Sequence, residues 1–263
     1  MNDDMIGMID SGLGGLTIWK SVISLLPQES ICYLADHAYV PYSNKTSITI
    51  RNRVLKLISF LLKKKVKIIV VACNTATVAG ITYYREAYPQ VPIIGVVPVI
   101  KTAALMTKKK AFTVLSTEFT AKSEYQKKLI RQFASDCIVH SIGCTDLVER
   151  VENGDTESHQ ITKILKKILH QVSIKNVDVL VLGCTHFPFL LSRIRAIVGS
   201  GVEIIDSAPA VARHTKRVLT QNNALNRSKN VHYDFLTTGD EVFVNKVASK
   251  LLRSCVQFTH AKL

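Results

Sequence analysis

The 263-residue chain has no Cys-x-x-Cys pair, a single tryptophan and only 7% aromatic residues. Zinc held at finger or ribbon spacing is therefore not expected. Long apolar runs are missing too: the longest, residues 93–100, is strand-sized and broken by Gly95 and Pro98. That falls far short of the roughly 20 residues that cross a bilayer as a helix, so no membrane association is expected. The glycines of Gly12-Leu13-Gly14-Gly15 do not spell G-x-G-x-x-G, which removes the support for a dinucleotide. The first residues, Met1-Asn2-Asp3-Asp4, lack the basic and apolar regions of a secretory signal, so a cytoplasmic location is expected. In a chain of this size the six cysteines are then expected to be reduced thiols.

Negative charge is also scarce, with 20 acidic against 34 basic residues and a net charge of +14. Basic residues form clusters such as Lys63-Lys64-Lys65, Lys108-Lys109-Lys110 and Lys166-Lys167, at the ends or outer faces of expected helices. Such clusters complement helix dipoles and face solvent. No RNA-recognition signature or aromatic–basic interleaving accompanies them, and no specific nucleic-acid partner is expected. The field remains suited to drawing in an anionic small substrate.

Short apolar, β-branched runs alternating with amphipathic stretches predict strands alternating with helices, and hence an α/β fold with largely parallel sheets. Two of those runs end alike. Ile68-Ile69-Val70-Val71-Ala72 leads into Cys73-Asn74-Thr75, and Val177-Asp178-Val179-Leu180-Val181 leads into Leu182-Gly183-Cys184-Thr185-His186-Phe187-Pro188. Carboxyl ends of strands are where open α/β sheets bind ligands. A second echo is strand-to-Asp-Ser, at Asp10-Ser11 and Asp206-Ser207, and together the echoes suggest an internal duplication.

If two similar halves face each other across a cleft, Cys73 and Cys184 approach a ligand from opposite sides. One thiolate then removes a proton from carbon while the other thiol delivers one to the far face, inverting a stereocentre without a cofactor. A thiol suits this because its ordinary pKa lies within reach of neutrality. His186 is a candidate partner for Cys184, and Asp10 for Cys73. Asn74, Thr75 and Thr185, at expected helix starts, offer donors for a carboxylate. Gly143-Cys144-Thr145 imitates the second motif, but Asp146 and Glu149 follow it in a capping-box pattern, so Cys144 is read as structural.

Three blocks, Ile9-Asp10-Ser11-Gly12-Leu13-Gly14-Gly15-Leu16-Thr17, Ala72-Cys73-Asn74-Thr75-Ala76 and residues 182–188, resemble the signatures of bacterial glutamate racemases. Asp36 through Tyr42, Ser116-Thr117 with Thr120, Val151-Glu152-x-Gly154 and Ile205-Asp206-Ser207-Ala208 match as well, so the resemblance covers nearly everything up to about residue 220. It implies two similar Rossmann-like α/β domains with mainly parallel sheets, the active site in the cleft between them, and a C-terminal segment returning to the first. With the break at Pro98, the domains are residues 1–97 plus 208–263 and residues 98–207.

The resemblance also implies interconversion of L- and D-glutamate for peptidoglycan synthesis, with no cofactor and no metal. Racemisation of aspartate or a hydantoin is the alternative. By motif match, Cys73 takes the proton from the D isomer and Cys184 from the L isomer, assisted by Asp10 and His186 respectively. Glu152 matches a residue at the site entrance. Asp10, Ser11, Pro41, Tyr42, Ser43, Asn74, Thr75, Thr120 and Thr185 match substrate-binding positions, with Ser43 where the family usually has glycine. A homodimer is compatible with this reading.

Overall fold

The computed structural model describes residues 4–174, 176–226 and 230–263; the acidic start at residues 1–3 lies outside them. The first half runs β1 (Ile6–Asp10), α1 (Leu16–Leu25), β2 (Ile31–Ala35), α2 (Ser47–Lys63), β3 (Ile68–Val71), α3 (Asn74–Ala87) and β4 (Ile93–Gly95). Next come α4 (Ile100–Met106), β5 (Ala111–Ser116), α5 (Glu118–Lys122), α6 (Glu124–Phe133), β6 (Ile138–Gly143), α7 (Asp146–Glu152), α8 (His159–Ile174), β7 (Val179–Leu182), α9 (Leu191–Val198) and β8 (Glu203–Asp206). The chain closes with α10 (Ala208–Gln221), β9 (Tyr233–Thr237), α11 (Glu241–Leu252) and β10 (Phe258–His260). Among the described residues no helix is long and apolar enough to cross a membrane.

Two sheets form, in the orders β10-β9-β2-β1-β3-β4 and β6-β5-β7-β8, and every pairing in them is parallel. Residues 208–263 thus return to the first sheet, where β9 pairs with β2 from Ile31↔Tyr233 to Ala35↔Thr237. The central strands are apolar on both faces because both faces are covered. Ile6, Met8, Ile68 and Val70 share one core with Leu115, Leu180 and Leu182 of the second sheet and with residues of α1, α7, α8, α10 and α11. The alternate residues Ile9, Ile69 and Val71 pack on α2 and α3, while Phe112, Val114, Val179 and Val181 pack on α4. The facing sides of the sheets are therefore joined through a shared helical layer, and each outer side has its own apolar cover.

The strand orders explain one echo and correct the other. Overlaying β2-β1-β3-β4 on β6-β5-β7-β8 makes β3 the equivalent of β7, so Cys73 and Cys184 follow matching strands. Asp10 ends β1, whose equivalent is β5, whereas Asp206 ends the edge strand β8. The Asp-Ser repeat is therefore not part of a duplication. Nor does the capping box before α7 form: Thr145 makes no side-chain cap bond there, and its backbone is already helical.

A buried ion pair beside the first sheet also anchors the returning segment through a hydrogen bond. Lys67 Nζ, just before β3, lies 2.7 Å from Glu29 Oε2, with side chains 3% and 1% exposed. The other oxygen of Glu29 accepts the Asn226 N–H at 2.7 Å. Removing one partner of such a pair strands a buried charge. Lys67→Met is expected to lower the free energy of urea unfolding by about 3 kcal/mol; an unchanged denaturation midpoint would show that the pair contributes nothing.

Candidate active site

Ser11, Cys73, Thr117 and Cys184 each follow the carboxyl end of a different strand, respectively β1, β3, β5 and β7, and all four line one narrow cleft. Its cavity volume is only about 10 Å³. Its walls are thus nearly closed on each other. Pro41, Tyr42, Ser43, Asn74, Thr75, Thr185 and His186 complete the lining together with Val148. Ten of the thirteen residues singled out in the sequence share this one space; Asp10, Thr120 and Glu152 stand behind it.

On one wall, Cys73 caps α3, its sulfur accepting the Ala76 N–H at 3.5 Å while its S–H points to Ser11 Oγ at 3.7 Å. Burial pushes this thiol well up, and the nearby Asp10 carboxyl pushes it further. Asp10 is fully buried and folds back over the glycine turn, where Oδ2 accepts the N–H groups of Gly15 (2.9 Å) and Gly12 (3.2 Å) and Oδ1 has no partner. Burial raises its pKa too, against the pull of His186 and those backbone bonds. The neutral acid is therefore favoured more here than in water.

The opposite wall is built from charge. Cys184 Sγ lies 3.6 Å from His186 Nδ1, and His186 Nε2 lies 2.5 Å from Glu152 Oε1. Burial works against an imidazolium, but the bonds to Cys184 and Glu152 outweigh it and hold His186 well above its ordinary range. Burial likewise works against the Glu152 carboxylate, yet the neighbouring His186 and His37 rings bring it down to about 2. Glu152, expected at the entrance, is instead 4% exposed and sits behind His186. Its Oε1 also accepts the Leu13 N–H at 2.7 Å, across 139 residues of sequence. A Cβ on Gly12 would overlap the Glu152 carboxylate, and one on Gly14 the His186 ring, so the turn must be glycine where the two halves meet.

The 36–44 loop supplies a third wall. Asp36, fully buried, accepts Tyr42 Oη–H at 2.6 Å, Thr238 Oγ1–H at 2.8 Å and a forked pair of bonds from Arg53. Arg53 in turn lies over the Tyr39 ring at 4.2 Å. This lattice fixes Pro41 and Tyr42 against the cleft. Ser43 Oγ, which lines it, is buried without a hydrogen-bond partner.

Thr120 differs from its expected place: Thr117 faces the cleft and donates to Thr120 Oγ1 at 3.1 Å from in front. Thr117 also bonds Thr75, with 3.0 Å between hydroxyls. Sequence reasoning quoted Thr117 inside a matching block but did not select it, and the strand-end position alone would have found it. His37, inside the matching block from Asp36 to Tyr42, is likewise not singled out by the sequence. Cys144 is 7% exposed and lies in the shared core outside the cleft.

Comparison with known proteins agrees with this architecture. Residues 6–215 match the model of the Asp/Glu/Hydantoin racemase family. A glutamate racemase from Stutzerimonas stutzeri is 40% identical over 235 residues, 89% of each chain. The crystal structure of a glutamate racemase isoform from Bacillus anthracis superposes with a TM-score of 0.93 at 33% identity, covering 100% of this chain and 99% of that one. That of a glutamate racemase from Francisella tularensis in complex with D-glutamate gives 0.87 at 30%, covering 100% and 98%. With its paired thiols at matching strand ends and a family match over most of its length, this chain belongs to the Asp/Glu/Hydantoin racemase family.

Proposed function

We propose that this protein is a glutamate racemase, interconverting L- and D-glutamate by two-thiol proton transfer and supplying the D isomer for peptidoglycan synthesis. The observation that carries the reading is the pair of buried thiols, Cys73 and Cys184, on matching strands and lining one cleft. The Stutzerimonas relative and both crystal structures, one of them holding D-glutamate, support glutamate over aspartate or a hydantoin. The domains are residues 1–97 plus 208–263 and residues 98–207, and the reaction takes place where their strand ends face.

In the L-to-D direction Cys184, as thiolate, takes the α-proton and becomes a thiol, leaving the electron pair on carbon. Cys73 gives its S–H proton to the opposite face of that carbon and becomes the thiolate. The reverse reaction exchanges these roles. An α-proton beside a carboxylate is very weakly acidic, so positioning and electrostatic stabilisation of the developing charge must accompany the thiols. His186 shares a proton with Cys184, and Asp10, favoured as the neutral acid, serves Cys73. Ser11, Asn74, Thr75 and Thr185 offer donors to the substrate carboxylates, with Pro41 and Tyr42 as the wall. Ser43 adds an unpartnered hydroxyl to the same space. Thr120 acts by orienting Thr117, and Glu152 by holding His186.

Loss of either thiol removes one half of the reaction. Cys73→Ala and Cys184→Ala are each expected to lower racemisation in both directions by at least about a thousandfold, measured by circular dichroism of glutamate. In deuterated water the wild type places deuterium at the α-carbon of the product. Full racemisation by either variant would exclude the two-thiol mechanism, and preference for aspartate in a parallel assay would exclude glutamate as the substrate.

The His186–Glu152 pair sets a stability window as well. Glu152 is lowered from 4.5 to about 2, so its contribution is complete above about 4.5 and disappears as pH falls through about 2. His186 is raised above 6.5, so its contribution is complete below 6.5 and is lost as pH rises through its folded value. Relative to His186→Gln, wild-type stability in urea is expected to be greatest between about pH 4.5 and 6.5 and to decline on both sides. A pH-independent difference would mean that the pair is not ionic.

A further inference from the structure

His37 takes no part in the reaction as described, yet it meets the carboxylate on which His186 depends. It follows Asp36 in the 36–44 loop of the first half, and its Nε2 lies 3.1 Å from Glu152 Oε2, with side chains 13% and 5% exposed. Glu152 Oε1 is already engaged by His186 and Leu13. The His37 contact is close but off-axis, and neither Oε2 nor His37 Nε2 has a well-directed hydrogen bond elsewhere. His37 is therefore the one side chain besides His186 seen paired with this carboxylate among the described residues. Its ring is held from behind by the returning C-terminal segment: Phe243 packs on it with centroids 5.6 Å apart, and a Cβ on Gly239 would come within 3.0 Å of it.

A chain of contacts thus runs from the tail through Phe243, His37, Glu152 and His186 to Cys184. We propose that His37 is a positioning residue for proton transfer at Cys184: it clamps Oε2 of Glu152 from behind the cleft so that Oε1 stays directed at His186. A carboxylate bonded through one oxygen only is free to rotate about its last carbon–carbon bond, and a second donor removes that freedom. The clamp also gives β9–α11 a part in the chemistry, since this segment supplies the surface on which His37 rests. The inference rests on the racemase reading, because a held His186 matters only if Cys184 carries a proton.

Two substitutions separate the clamp from simple packing. His37→Phe keeps a ring against Phe243 and removes the donor, whereas His37→Gln restores an N–H at similar reach. His37→Phe is expected to lower kcat for glutamate about tenfold with little change in KM or melting temperature, and His37→Gln to recover most of that loss. Because the two enantiomers have equal free energy in water, kcat/KM must fall equally in both directions, which checks the assay. In substrate-free protein the downfield imidazole N–H signal of His186 should shift in His37→Phe and return in His37→Gln. An unchanged kcat and His186 signal in His37→Phe would overturn the proposal. So would equal damage in both variants accompanied by a lower melting temperature, which would reduce His37 to packing. A wild type inactive on glutamate would instead overturn the racemase reading, while the His186 signal would still judge the clamp.

Discussion

A carboxylate taken out of water is costly unless charge and donors replace its hydration. Glu152 meets that demand at the meeting of the two halves. Its partners come from the glycine turn after β1, the loop after β2 and the strand end after β7: Leu13 N–H, the His37 ring and the His186 ring. None of these can move away without leaving the charge exposed to an apolar interior. The approach of the halves, the missing side chains at Gly12 and Gly14, and the charged state of His186 all follow from keeping this one anion satisfied.

The scaffold around that anion is nearly symmetric, but its chemistry is not. Matching strand order places Cys73 and Cys184 equivalently, and each is buried to the same 5% exposure. Their partners differ because the neighbouring strand ends differ. Beside Cys73 stands Asp10 at the end of β1, whereas the equivalent β5 ends in Ser116 and is followed by Thr117, neither of which carries a charge. Cys184 instead draws on His186, two residues further along its own segment. Matching strand ends can thus carry thiols with unlike neighbours, one from an adjacent strand and one from the same turn.

Much of this was legible in the sequence because it is encoded locally. Runs such as Ile68-Ile69-Val70-Val71 announce strands covered on both faces, and a thiol after such a run marks a strand end. The clusters Lys63 to Lys65, Lys108 to Lys110 and Lys166 to Lys167 do lie at helix ends, outer faces or turns, largely in solvent. What escaped depends on contacts between distant segments. The burial of Glu152 is decided by Leu13 and His37, more than a hundred residues away. The choice between Thr117 and Thr120 is by contrast local: it is decided by the geometry of the α5 cap, where Thr117 accepts the Thr120 N–H. The Asp-Ser echo failed for a related reason: a dipeptide repeats without information on strand order.

The two walls rest in different electrostatic states, and this bears on how a proton crosses between them. Burial raises both Cys73 and Asp10, so that wall disfavours negative charge. The facing wall holds a fixed ion pair, His186 and Glu152, whose members stabilise each other's charge and therefore resist neutralisation. In the proposed L-to-D reaction the second wall receives a proton at Cys184 while the first gives one up at Cys73. Negative charge therefore passes from Cys184 to Cys73, and the cost falls on the wall where burial is least compensated. That wall is the one lined by backbone N–H groups, from Gly12 and Gly15 on Asp10 and from Ala76 on Cys73. Backbone donors suit it because they lower the cost of a transient anion without themselves titrating.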